Sequence, residues 1–503
     1  MQLQSYEKEH LLLQRPYLAE CAVLLKTNGD FPLAQPGRIA LYGNGGRRTV
    51  KGGTGSGEVN SRFSISAERG LRMAGFDITT ADWLDAYDTV YAAARRRFHN
   101  RIRQRARARH TSVIAEGMGA VMPEPEYDIP AAAGDEVAVY VLSRICGEGS
   151  DRHYEKGDIL LTDTEIRNIR LLSERCEKFM LVLNVGGPVD LSPVSCVDNI
   201  LLLSQLGALT GLALADILLG RENPSGRLTT TWSDRKSGCP AAEFGAKNET
   251  RYKEGIYVGY RYFDTTAGKV LFPFGYGLSY TTFSVTDYQM KVVGELVHVT
   301  ARVTNTGTRA GKEVLQLYVS KPEGRLDQPY QCLAAWIKTS CLAPGESEAV
   351  GLSFRMSEVC SYDPAAEAYL LEAGLYTVRA GISSVSTRVC GRISLAEDVI
   401  LKKVSSKMGK PGFSDWKPSG RRVDILEPSD SDTVFQMNPA DISLEPVGTD
   451  SEEESREAEG TGSTADKWAC SLTDEELIKM NIGAFEPGPG LLGVIGNSGR
   501  SVA

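Results

Sequence analysis

Cys146-Gly147-Glu148-Gly149-Ser150-Asp151-Arg152 sets a carboxylate between two glycines and follows it with an Asp-Arg pair. Flanking glycines admit turn conformations that other residues resist, so the loop can present Glu148 at a surface. A Glu held that way is a candidate general acid/base. A second run, Lys51-Gly52-Gly53-Thr54-Gly55-Ser56-Gly57, could cradle an anion, yet its Lys precedes the glycines instead of closing a Gly-Lys-Ser/Thr end. It also misses the GxGxxG spacing of dinucleotide sites. Taken singly, each loop reads as a solvated turn as well as a site.

The elements around these loops give them places. The apolar run Val137-Ala138-Val139-Tyr140-Val141-Leu142 predicts a buried strand that delivers Glu148 at its carboxyl end, where open α/β sheets hold their ligands. Ile39-Ala40-Leu41-Tyr42 and Met180-Leu181-Val182-Leu183-Asn184-Val185 predict two more strands. Thr162 and Glu165 form a capping box that opens a helix with Ile166, Ile169, Leu172 and Cys176 at helical spacing. A second helix is expected over 206–219, ending at Gly220. Strands apolar on both faces, alternating with helices, predict an α/β sandwich with a mostly parallel sheet. From about residue 283 the period changes to two: Val297, Val299, Ala301 and Val303, then Leu315, Leu317 and Val319, then Val350, Leu352 and Phe354, then Tyr376, Val378 and Ala380. That pattern predicts a β-sandwich.

Composition narrows the class. Hydrophobic residues at 42% and charged residues at 24% are ordinary for a water-soluble protein. No apolar run approaches a membrane span, and the first ten residues lack the pattern of a signal peptide. Ten cysteines without CxxC pairs fit reduced thiols, so a cytoplasmic location is expected, with no structural metal and no cofactor. The net charge of −8 hides two opposed segments. Residues 427–459 hold eleven acidic residues and one basic residue, Arg456, and read as a disordered linker. Residues 95–109 hold eight arginines. They read as a solvated helix or an insertion or, with no aromatic platform beside them, less readily as a nucleic-acid contact. Contact between the two segments stays open.

Four stretches together carry a resemblance: Lys51 to Gly57; Gly147 to Arg152; Ala215-Asp216-Ile217-Leu218-Leu219-Gly220 with Asn223-Pro224-Ser225-Gly226; and Tyr252 to Phe263 with Phe272-Pro273-Phe274-Gly275-Tyr276-Gly277-Leu278-Ser279-Tyr280. The chain resembles glycoside hydrolase family 3, the β-glucosidase-type enzymes, in the form with inverted domain order. The resemblance implies an α/β sandwich domain over 1–240, a connector over 241–283, a fibronectin-III-like domain over 284–396, a partly disordered linker over 397–467 and the start of a truncated TIM barrel over 468–503. It implies a retaining hydrolase of β-glucosides, whose two carboxyl groups stand about 5–5.5 Å apart. Glu148 matches the acid/base. The Asp nucleophile belongs to the barrel, expected in cis or on another chain, so hydrolysis by this chain alone is not expected.

The same resemblance casts Lys51 as a sugar contact, with a structural turn as the other reading. Gly53, Gly55 and Gly57 shape the loop, and Asp151 with Arg152 fixes the Glu148 loop by ion pairing or backbone contacts. Tyr252, Tyr257, Tyr260, Tyr262 and Phe263 are expected to pack between domains more than to stack on sugars. A non-catalytic carbohydrate-binding or interaction module is the rival reading. No nucleic-acid or membrane partner is expected, and homo-oligomer formation is left open.

Overall fold

In the computed structural model the described residues are 3–57, 61–117, 122–130, 137–147, 152–233, 249–405, 411–420 and 433–443, with residues 59, 120, 238, 240, 409 and 471–473. The first unit is built on the strands β1 (Val23–Lys26), β2 (Arg38–Tyr42), β3 (Asp77–Ile78), β4 (Val137–Arg144), β5 (Lys178–Val185) and β6 (Ile200–Leu202). They form one sheet in the order β1-β6-β5-β4-β2-β3. Every pairing is parallel except β1 with β6. β1 was not foreseen from the sequence.

Alternation along the strands feeds two cores, one on each face. Tyr42, Tyr140, Leu142, Leu181 and Leu183 meet Ile169 and Leu172 of helix α5 (Asp163–Arg175). On the other face Leu41, Val139, Val141, Met180 and Val182 meet Leu71 of α2 (Ala67–Met73) and Leu214, Ile217 and Leu218 of α6 (Thr210–Leu218). Helix α1 (Ser5–Cys21) adds Ala19 to that second core. Two-sided burial is why these strands read as unbroken apolar runs. The long helix α3 (Ala81–Ala108) buries Leu84 and Tyr87 in its first half and only Ile102 and Ala106 in its second, which meets α4 (Val113–Gly117).

The second unit is a β-sandwich. Strands β7 (Phe283–Val293), β8 (Leu296–Asn305) and β11 (Ser347–Arg355) make one sheet. The other contains β9 (Val314–Ser320), β10 (Cys332–Lys338), β14 (Gly374–Ser383) and β15 (Ser386–Leu395). A small sheet joins β12 (Ser361–Asp363), β13 (Ala368–Leu371) and β16 (Val399–Lys403). The expected linker over 397–467 needs correction at two places. β16 lies inside it, and so does β17 (Val434–Met437), which pairs in parallel with β15 from Arg392↔Val434 to Leu395↔Met437. Met437 and Ile442 are buried in the sandwich core. The strand is short and sits in strongly acidic sequence, so its apolar alternation is masked. The expected barrel start over 468–503 lies outside the described residues apart from 471–473.

The connector carries helix α7 (Tyr260–Thr266) and packs between the units. Tyr260 stacks on Phe274 with ring centroids 4.5 Å apart, and its hydroxyl accepts from the Leu333 amide at 2.8 Å. Gln331 donates to Asp264 at 2.9 Å. Tyr257 and Tyr262 both meet Trp416 edge-on or tilted. Tyr252 is the exception, with 72% of its surface exposed. Among the described residues no helix is long and apolar enough to cross a membrane.

Candidate active site

A cleft of about 400 Å3 opens at the carboxyl ends of β2 and β4. Its walls include Asn44, Arg48, Thr54, Glu124, Ser143, Arg144, Cys146, Gly147 and Arg152. Glu148 and Asp151 lie outside the described residues, but both flanks of their loop, Gly147 and Arg152, line this cleft.

The two glycine-rich loops meet at its rim. A Cβ on Gly53 would stand 2.1 Å from the carbonyl oxygen of Cys146, and one on Gly147 would stand 2.2 Å from that of Thr54. Neither distance is tolerable, so the contact demands glycine on both sides. Gly55 has φ +90°, the left-handed region, and a Cβ on Gly52 would strike the Gly57 carbonyl oxygen at 2.3 Å. Gly57 itself has open space where a Cβ would go. Asn184, fully buried on β5, holds this loop to the sheet. Its side-chain oxygen accepts from the Val50 amide at 2.6 Å and the Ser143 hydroxyl at 2.7 Å, and its amide donates to the Val50 carbonyl at 2.9 Å and the Ser204 carbonyl at 2.7 Å. Four bonds satisfy the group completely, as a buried amide requires. Lys51 turns along its own loop, donating from Nζ to the Ser61 hydroxyl at 2.6 Å and to the Val59 carbonyl.

Arg152 braces the far flank. It pairs with Asp158, donates to the Cys146 sulfur at 3.0 Å and reaches the Pro188 carbonyl at 3.3 Å. Asp158 also accepts from the His153 amide at 2.6 Å. Burial pushes the Cys146 thiol up, against the pull of Arg152. Gln205 clamps the Cys146 backbone from the other side, accepting from its amide at 3.0 Å and donating to its carbonyl at 3.2 Å.

Beneath the cleft lies charge that the sequence reading did not single out as part of a site. Arg144, at the end of β4, meets both oxygens of Glu165 at 2.7 and 2.6 Å with both residues buried. Glu165 also completes the capping box at the start of α5. Arg144 donates further to the Asp158 carbonyl at 3.2 Å, so the buried pair supports the partner of Arg152. Glu124 is 8% exposed and accepts from the Tyr87 hydroxyl at 2.6 Å. Burial and the nearby Glu165 charge push its carboxyl up to about 8. A polar Asn184 inside an apolar strand and an Arg closing β4 were the available signals; their partners were not readable. Among the described residues no three His, Cys, Asp or Glu come together as a metal site would need.

Residues 22–280, which contain the sheet, the cleft and the connector, match the model of the glycosyl hydrolase family 3 C-terminal domain. The chain belongs to that family. Residues 313–384 match the fibronectin type III-like domain. The chain is 34% identical to beta-glucosidase A of Butyrivibrio fibrisolvens, over 80% of this chain and 53% of that protein. It is 32% identical to a beta-glucosidase of Ruminococcus albus, over 78% and 41%. It superposes on beta-glucosidase 3B of Thermotoga neapolitana, solved with glucose, with TM-score 0.69 and 36% identity, covering 78% of this chain and 55% of that one. The chain thus spans about half the length of the relatives it matches.

Proposed function

We propose that this chain supplies the acid/base half of a retaining β-glucosidase-like active site, with Glu148 as the general acid/base. The carrying observation is the glycine-on-glycine contact of Gly53 with the Cys146-Gly147 strand end, in a chain of this family. A loop emerging there is fixed at one end by Gln205 and the glycine contact and at the other by Arg152. In the proposed reaction Glu148 protonates the departing glycosidic oxygen while an Asp from the barrel attacks the anomeric carbon. It then takes a proton from the water that releases the sugar. The barrel, in cis or on another chain, supplies the nucleophile and most sugar contacts.

Lys51 serves as a substrate contact. An ammonium has three protons, and Ser61 and Val59 take two, leaving one for a sugar hydroxyl. Asp151 adds to the loop's fixation. The test is Glu148→Gln in protein that includes the barrel, assayed over aryl and alkyl β-glucosides. Loss of acid assistance should be greatest for poor leaving groups and smallest for stable phenolates. An equal loss across the series would remove Glu148 from the role.

A further inference from the structure

The second half of α3 carries a run of arginines with no acidic partner among the described residues. Its inward seam is Phe98, Ile102 and Ala106. Helical spacing sets Arg96, Arg103 and Arg107 along one flank of that seam and Arg97, Arg101 and Arg105 along the other, all six exposed. Among the described residues none of the six makes an ion pair. Neighbouring Arg109 does, with Glu116 at 3.3 Å. Like charges four residues apart on a helix repel, so an anionic partner would relieve a standing cost.

We propose that an acidic stretch of this same chain, residues 450–459, docks along these arginine rows. The sequence there is Asp450-Ser451-Glu452-Glu453-Glu454-Ser455-Arg456-Glu457-Ala458-Glu459. In an extended chain, alternate residues such as Glu452 and Glu454, or Glu457 and Glu459, present carboxylates on one side about 6.6 Å apart. Arg97, Arg101 and Arg105 step along the helix by about 6 Å. The two repeats match, and the guanidinium fork suits carboxylate. Residues 444–470, which follow the described segment ending at Ser443, have a fully extended length of about 90 Å. No other stretch of the sequence is as acidic over ten residues.

The test uses the full chain and the exposed variant Arg97→Glu/Arg101→Glu/Arg105→Glu, with unfolding temperature as the check on folding. At low salt a broad-specificity protease should cut within residues 444–470 at least about 10-fold faster in the variant, because cleavage follows the undocked population. At 1 M NaCl, where screening shortens to about 3 Å, the two rates should converge. In Arg97→Lys/Arg101→Lys/Arg105→Lys, zero-length carbodiimide coupling should join α3 to the peptide holding Glu452 and Glu454 within one chain. Equal cleavage at low salt would overturn the proposal. So would cross-links that join separate chains, which would make the occupant a second copy, or that reach only other carboxylates.

Discussion

Gly53 and Gly147 touch backbone to backbone: a Cβ on Gly147 would lie 2.7 Å from the carbonyl carbon of Gly53, and one on Gly53 would lie 3.0 Å from the Cα of Gly147. Both neighbours are main chain, which cannot swing aside as a side-chain tip would. Gly53→Ala should therefore force the two loops apart, at about 1–3 kcal/mol of stability. In barrel-containing protein it should lower hydrolysis by more than the loss of folded protein explains. Gly57→Ala is the control, since a Cβ there meets nothing within 4 Å. Equal stability and activity in the two variants would show that the contact is not needed.

Arg144 and Glu165 offer a second test. Breaking a buried pair leaves one charge uncompensated and costs about 3–5 kcal/mol, whereas replacing both with apolar groups can be neutral or better. Arg144→Met alone should be strongly destabilised, and Arg144→Met/Glu165→Met should recover much of the loss. Activity should separate from stability in the double variant, because Arg144 also bonds the carbonyl of Asp158, the residue that holds Arg152. Chemical denaturation of all three proteins measures the first effect. Turnover with the barrel present measures the second, and a double variant as active as wild type would end the positioning role.

The parts of the fold legible in sequence were those with strong local signals. β4 and β5 announced themselves because both faces are covered, and the start of α5 because Thr162 and Glu165 fall three residues apart. β1 escaped because four residues, Val23 to Lys26, continue an α1 sequence with no turn residue to mark the change. At the site, Lys51, Gly53 and Arg152 could be named from motif resemblance. The bond from Arg144 to Glu165 could not, since it joins a strand end to a helix start by a side-chain geometry that neither segment encodes alone.

β17 was hidden by its surroundings, and its weight can be measured. Met437 is 5% exposed and packs with Ile393 and Leu395 of β15 in the sandwich core. Met437→Ala should cost about 2–5 kcal/mol by the usual loss of buried volume. Deleting residues 433–443 should do more, because it strips the partner from β15 and leaves a free sheet edge. Unfolding of the sandwich followed by intrinsic fluorescence, together with light scattering for association, reads both effects. An unchanged midpoint in Met437→Ala would place the strand outside the cooperative unit.

Glu124 gives the pH dependence a sign. Its carboxyl is raised from 4.5 to about 8, first by burial and then by the charge of Glu165, while Arg144 and Arg48 pull the other way. The folded chain therefore keeps a proton that the unfolded chain releases between those values. The group's contribution to stability is complete below about pH 4.5, declines as pH rises and is gone above about pH 8. Each unit of difference corresponds to about 1.4 kcal/mol, so the decline over that window should be on the order of 5 kcal/mol. Glu124→Gln keeps an acceptor for the Tyr87 hydroxyl and cannot ionise. Its stability should fall less than that of wild type between pH 5 and pH 8, with the two curves diverging as pH rises. Denaturant unfolding at several pH values measures the slopes, and parallel curves across that window would show that Glu124 ionises normally in the folded protein.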